Sequence, residues 1–289
     1  MYPIKSIFAV LLLFSAFQLS AQEQPTTEKD NRPVKDIFGS SQLFDQETAK
    51  SVLPHGFEFE IQHRFGLMKN GIKDLWGIYS SSNIRLAINY GITDRLSVGF
   101  GTTRNYKLQD FSWKYAILRQ TRSESIPLSI SYYGNAVIDA RDKTFFGAAA
   151  DYKFEHRLSV FHEIIFARKF SNNFSLQMAP TVSYFNAVTD GYNNFNYNLT
   201  FGSRLKVTSN MGLIAGYAVP IQVANDNKNA TFKPQSNLSF GIEMGTSTHV
   251  FEIFVTNSDY LINQYSYSLN TNKISNGDFL VGLNITVKF

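Results

Sequence analysis

From Phe57 to the end of the chain, apolar and polar residues alternate with period two in one segment after another. The last segment shows the pattern most plainly. Phe279, Val281, Leu283, Ile285, Val287 and Phe289 fall on one side of an extended strand, with Leu280, Gly282, Asn284, Thr286 and Lys288 on the other, because successive side chains point to opposite faces. About twelve such segments are predicted, over 57–66, 82–91, 95–105, 108–120, 127–138, 156–168, 174–185, 195–206, 211–219, 236–245, 248–257 and 279–289. Most are about ten residues long, the length a tilted strand needs to cross a bilayer. The connections alternate as well. Those after the even segments are short (92–94, 121–126, 169–173, 207–210, 246–247), and most of those after the odd ones are long (67–81, 139–155, 186–194, 220–235, 258–278), the link near Tyr106 being the exception. Tight periplasmic turns alternating with extended outer loops, on an even number of strands, describe an all-β, transmembrane, antiparallel up-and-down barrel with both ends on the periplasmic side.

The two faces then acquire different roles. Ile84, Leu86, Ile88 and Tyr90; Leu96, Val98 and Phe100; Phe195, Tyr197, Leu199 and Phe201; Leu238, Phe240, Ile242 and Met244; and Phe251, Ile253 and Val255 form charge-free sets at spacing two, suited to lipid. The opposite positions carry Glu58, Glu60, Arg64, Arg85, Arg95, Lys114, Glu163, Arg204, Glu243, Glu252 and Lys288, which are assigned to the lumen. Two readings stay open for them: an ion-pair network filling the barrel, or the lining of an aqueous pore that selects a solute. Neighbouring strands offer Arg85 or Arg64 to Glu58 or Glu60, and closure of the last strand on the first offers Lys288 to Glu58. Pairing is the expectation, because a lone buried charge is expensive.

Ahead of the strands, Lys5 precedes an apolar run from Ile7 to Phe17 and then Ala21, the make-up of a cleaved signal peptide over 1–21. Residues 22–54 read as a periplasmic leader or a short plug. The stretch from Val34 to Val52 holds enough apolar residues, Ile37, Phe38, Leu43 and Phe44 among them, to order as a short helix or against the barrel. The barrel itself is assigned to 55–289. Twenty-six Phe and fifteen Tyr suit aromatic girdles at two membrane interfaces, and only 17% of residues are charged. The absence of cysteine excludes disulfides, thiolate metal sites and a lipoprotein anchor. The formal charge of +4 is scattered rather than striped, so no nucleic-acid surface is indicated.

No metal or cofactor signature stands out. His55, His63, His156, His162 and His249 lack ligand spacing, and His63 and His162 fall at apolar positions that suit an interfacial girdle. The Asx-rich stretch 225–229 has one carboxylate and a lysine, too little for calcium. A barrel hydrolase would need Ser, His and Asn or Asp converging from different strands, and nothing singles out such a set, so no enzymatic activity is expected.

The runs FEIQHRFG (59–66), RLAINYGITDRLSVG (85–99) and WKY (113–115) with Arg119-Gln120 resemble a family of outer-membrane barrels of Gram-negative bacteria known only as a domain of unknown function. The resemblance implies the barrel fold and an outer-membrane location, and supplies neither substrate nor catalytic residue. The closing Phe289 is similar to the C-terminal signal read by the barrel-assembly machinery. The expected partners are therefore outer-membrane lipid, that machinery and a small solute. The function expected is a passive channel or small-solute transport barrel, with a non-conducting docking barrel and a lipid hydrolase as alternatives.

Overall fold

The computed structural model describes residues 29–146, 151–221 and 230–289. The expected signal peptide and the stretch 225–229 lie outside them. Fourteen strands are present among the described residues. Two short ones, β1 (Gln42–Leu43) and β2 (Gln46–Glu47), make a small hairpin. The other twelve are β3 (Phe57–Leu67), β4 (Asn83–Gly91), β5 (Leu96–Thr103), β6 (Leu108–Leu118), β7 (Ser129–Asp139), β8 (Leu158–Lys169), β9 (Phe174–Phe185), β10 (Phe195–Lys206), β11 (Met211–Ile221), β12 (Asn237–Gly245), β13 (His249–Thr256) and β14 (Leu280–Lys288). They pair antiparallel in sequence order, and β14 returns to β3 to close a barrel.

Period-two patterning explains the register. In β4, Asn83, Arg85 and Ala87 are buried while Leu86 and Ile88 are exposed, and every lipid-facing set expected from the sequence points outward. Lipid covers that belt, so exposure of Phe100, Phe240 and Ile253 there is apolar surface in an apolar solvent. No helix of the described residues is long and apolar enough to cross a membrane; the strands do so. At the seam, Phe289 donates its N–H to the Phe57 carbonyl at 2.9 Å and accepts from the Phe57 N–H at 3.2 Å, while its ring is 77% exposed, continuing the apolar row. The link between β5 and β6 is a tight turn over 104–107, as its shortness in sequence anticipated.

A barrel of about eight strands is filled by its own side chains, and one of 16 or more leaves a channel. Twelve strands fall between, and here chain segments fill the space. Residues 33–52 enter from the periplasmic end, where Pro33 bridges Thr121 and the Val34 N–H meets the Gln120 carbonyl at 2.8 Å. From the outer end, the connection between β13 and β14 folds inward as a short helix, α1 (Asn263–Leu269), with six of its seven residues buried.

Candidate functional site in the lumen

Residues 33–52 are a plug, and the plug is a hairpin and turns rather than a helix. Phe38, Leu43 and Phe44 are fully buried. They share one cluster with Tyr133, Phe161, Ile165, Ile214 and Phe254 of the wall and Tyr267 of α1. The Phe44 ring meets that of Phe254 edge-on at 4.8 Å and lies against β11 where Gly216 leaves room, since a Cβ there would stand 2.8 Å from the ring. Three strands hold the Phe44 backbone. Its N–H donates to Glu252 Oε2 at 3.0 Å, and its carbonyl accepts from Gln62 Nε2 at 3.0 Å and Asn284 Nδ2 at 2.8 Å.

The wall charges divide into groups that sequence parity alone does not distinguish. Arg85 donates to both oxygens of Asp110, at 3.1 and 2.6 Å, and at longer range to Glu60, at 3.3 Å. Asp110 lies two strands away, and Arg85 reaches it across Gly101, where a Cβ would fall within 2.8 Å of both groups. Lys114 spends its ammonium on the plug: Glu47 Oε2 at 2.8 Å and the carbonyls of Ser41 and Thr48 at 3.0 and 3.2 Å. Glu58 accepts from the plug's Ser41 hydroxyl at 2.5 Å, and Glu60 from Asn89 at 2.9 Å. Arg204 and Glu243 pair at 2.7 Å.

Several expected partnerships are corrected. Arg64 forms no ion pair with Glu58 or Glu60; it leans toward the seam, donating to Asn284 Oδ1 at 3.0 Å with its guanidinium 4.6 Å above the Phe254 ring. Lys288 donates to the Gly39 carbonyl at 2.7 Å instead of Glu58, because the plug inserts there. Arg95 is not a lumen residue. It precedes β5 by one position and caps β6 at the rim, donating to the carbonyls of Ala116 and Ile117. Glu163 is in the lumen but has no ion pair with any described residue. Parity on β6 marks Asp110 as a lumen residue alongside Lys114, but the plug residues Asp45 and Glu47 had no periodic signal to find them by.

The plug and α1 meet at Asp45. Ser266 donates to its carboxylate, while Asn263 Nδ2 and the Tyr267 hydroxyl donate to its backbone carbonyl at 2.9 and 3.3 Å. Burial holds the Asp45 carboxyl above its ordinary range, against the hydrogen bond from Ser266 and the charge of Arg64. On the opposite side of the plug, Lys50 also donates to the Gly39 carbonyl, at 2.7 Å. Burial first, and the Lys288 charge second, bring its amine down to about 8. A cavity of about 860 Å³ opens below, lined by Lys50, Glu58, Arg204, Glu243 and Lys288 among others.

Chemically, the lumen is a set of hydrogen-bonded charges around a folded insert. Among the described residues no three His, Cys, Asp or Glu side chains are placed to hold a metal ion. His162 shares a hydrogen bond of 2.8 Å with the Tyr132 hydroxyl on the outer surface, beside Trp113, and the His63 ring lies tilted against that of Phe65 at 4.3 Å.

Residues 38–289 match the model of a family described as a membrane-bound β-barrel domain, DUF5777, and the chain belongs to that family. The match begins inside the plug, so the hairpin is part of the family domain. A search of curated proteins finds no match. Among solved structures the fold is similar to an outer-membrane channel from Pseudomonas putida F1, with TM-score 0.50 and 10% identity over 83% of this chain and 97% of that one. The KdgM porin gives TM-score 0.48 and 7% identity over 81% and 99%. At such identities the likeness is one of fold. Family and architecture together place the barrel in the outer membrane of a Gram-negative bacterium.

Proposed function

We propose that this member of the DUF5777 family is a transport barrel, closed at rest, that passes a small polar solute when its plug is displaced. The observation that carries the reading is the set of polar bonds between plug and wall, which stands beside the apolar cluster of Phe38, Leu43 and Phe44. Lys114 with Glu47, Ser41 with Glu58, and Phe44 with Glu252 and Gln62 are all polar bonds, and water can replace such bonds far more cheaply than it can replace apolar packing. The cavity of about 860 Å³ below the plug reaches Glu58, one member of this contact. No catalytic step belongs to the reading, and purified protein is expected to leave phospholipid intact.

Planar bilayers test it. The wild type is expected to show brief, discrete openings. Lys114→Met, which leaves Glu47 without its cation, should raise the open fraction. Absence of openings in both, for protein shown to be folded by its heat-dependent gel migration, would overturn the reading. That result would favour a docking barrel, a role for which the closure of the outer half by α1 is the supporting observation.

A further inference from the structure

Most of the lumen's polar atoms that lack partners lie along one strip of wall, with Arg64 Nε, Thr103 Oγ1, Glu243 Oε2 and Glu252 Oε1 elsewhere. On one wall, Glu163 of β8 stands directly opposite Thr181 of β9, and Thr181 opposite Asn198 of β10. All three face inward and are buried, Glu163 to 2% exposure and Asn198 to 1%. Glu163 Oε1, Thr181 Oγ1 and both polar atoms of the Asn198 amide have no hydrogen-bond partner in the protein. The same strip continues in both directions. Toward the periplasm, Gln177 and the plug's Gln46 abut Gly202, and each leaves its Oε1 unmatched. Toward the outside, Gln264 of α1 donates to Asn135 and Ser159, and its own Oε1 is unmatched.

Such atoms are costly to bury without a partner, and these are mostly acceptors. The one ionisable group in the row is a carboxylate. The buried cations Lys114 and Arg85 are already committed: Lys114 has three acceptors on the plug, and Arg85 has Asp110 and Glu60. The β8–β9 ladder is interrupted between the pairs Glu163–Thr181 and Phe166–Met178, where Pro180 has no N–H to offer.

We propose that Glu163, Thr181 and Asn198 form a binding site for a monovalent inorganic cation, the middle step of an acceptor-lined seam between the plug and the β8–β10 wall. A single carboxylate among neutral oxygens matches one positive charge, whereas calcium takes 6–8 oxygens, usually from several carboxylates. Acceptors at three heights suit conduction, which requires sites strong enough to enter and weak enough to leave. As a step in transport the site rests on the proposed function; as a binding site it does not.

The test is equilibrium binding of radioactive Rb⁺ to the purified full-length barrel in detergent, with choline chloride holding ionic strength constant. The wild type should bind Rb⁺ saturably, and Glu163→Gln and Asn198→Leu should each weaken binding by about tenfold or more. Glu155→Gln, on an exposed outer loop, should leave it unchanged. Thr181→Val serves if either lumen variant fails to show heat-dependent migration. No saturable binding by the wild type, or equal binding by Glu163→Gln, would overturn the proposal and leave these atoms to water. Parallel bilayer recordings separate the two ideas. Binding without conductance keeps the site and ends the transport reading, and conductance without binding does the reverse.

Discussion

Arg85 shows how much a single wall residue holds together. It joins β4 to Asp110 on β6 and to Glu60 on β3, with all three side chains nearly inaccessible. Replacing it by alanine strands two carboxylates in a dry site, so Arg85→Ala should destabilise the barrel by about 3–5 kcal/mol, read as a lower temperature for heat-dependent migration. Arg119→Ala, which breaks the exposed pair with Asp94, should cost about 0–1 kcal/mol. Lys50 gives a pH dependence with a definite sign. In the docked plug burial brings its amine down from the ordinary 10.5 to about 8, with Lys288 also disfavouring the charge and Glu58 and Asp36 favouring it. The docked state therefore binds the proton less tightly than the released one. Docking should tighten as pH rises from about 8 to about 10.5 and weaken as pH falls back through 8. Hydrogen exchange of residues 37–50 across that range checks it, and Lys50→Met should flatten the profile. At this scale the sequence told which residues face inward, Arg95 at the rim excepted, because parity is a local property. It offered Arg85 to Glu60, which it meets, but not to Asp110, because Arg85 reaches Asp110 only where Gly101 on the strand between omits a side chain.

Among the elements, the twelve wall strands were legible to within about two residues, as alternation survives wherever one face meets lipid and the other does not. Of the two inserts, the plug was legible only as one of two readings of residues 22–54, and α1 was not. The plug hairpin has strands of two residues, too short to show a period. Helix α1 reads Asn-Gln-Tyr-Ser-Tyr-Ser-Leu, with no aliphatic stripe, because its two tyrosine rings meet the apolar clusters while its serines and amides meet the polar groups of the lumen. Asn237, for example, donates to the Ser266 hydroxyl at 2.8 Å. The plug's fit to the wall makes Gly216 a sharp test. Gly216→Val would push branched carbon into the space of the Phe44 ring, and overpacking of this kind costs about 1–3 kcal/mol. The variant should keep its heat-dependent migration while residues 37–50 lose exchange protection and bilayer openings become more frequent.

For the molecule as a whole, the proposed encounter with the assembly machinery is separable from stability. Phe289 contributes two seam hydrogen bonds and an exposed ring, which is modest in a barrel closed by twelve strand pairs. Deleting it should sharply lower the amount of assembled protein in the outer membrane at native expression, because unassembled strands expose apolar faces and aggregate. The molecules that do insert should melt nearly as the wild type does. Equal amounts of wild-type and truncated barrel would show that the ring is only one more lipid-facing side chain.

The grip on the Phe44 backbone has a consequence for the order of events in folding. Its three anchors are Gln62 on the first wall strand, Glu252 on the penultimate and Asn284 on the last. The plug leaves the ribosome before any strand, yet its receptor does not exist until the final one has arrived, more than two hundred residues later. Contacts of such sequence separation form late. The hairpin thus acts as a clasp that can fasten only on a completed circle, and a barrel stalled short of closure is left with a loose N-terminal segment exposed to periplasmic proteases.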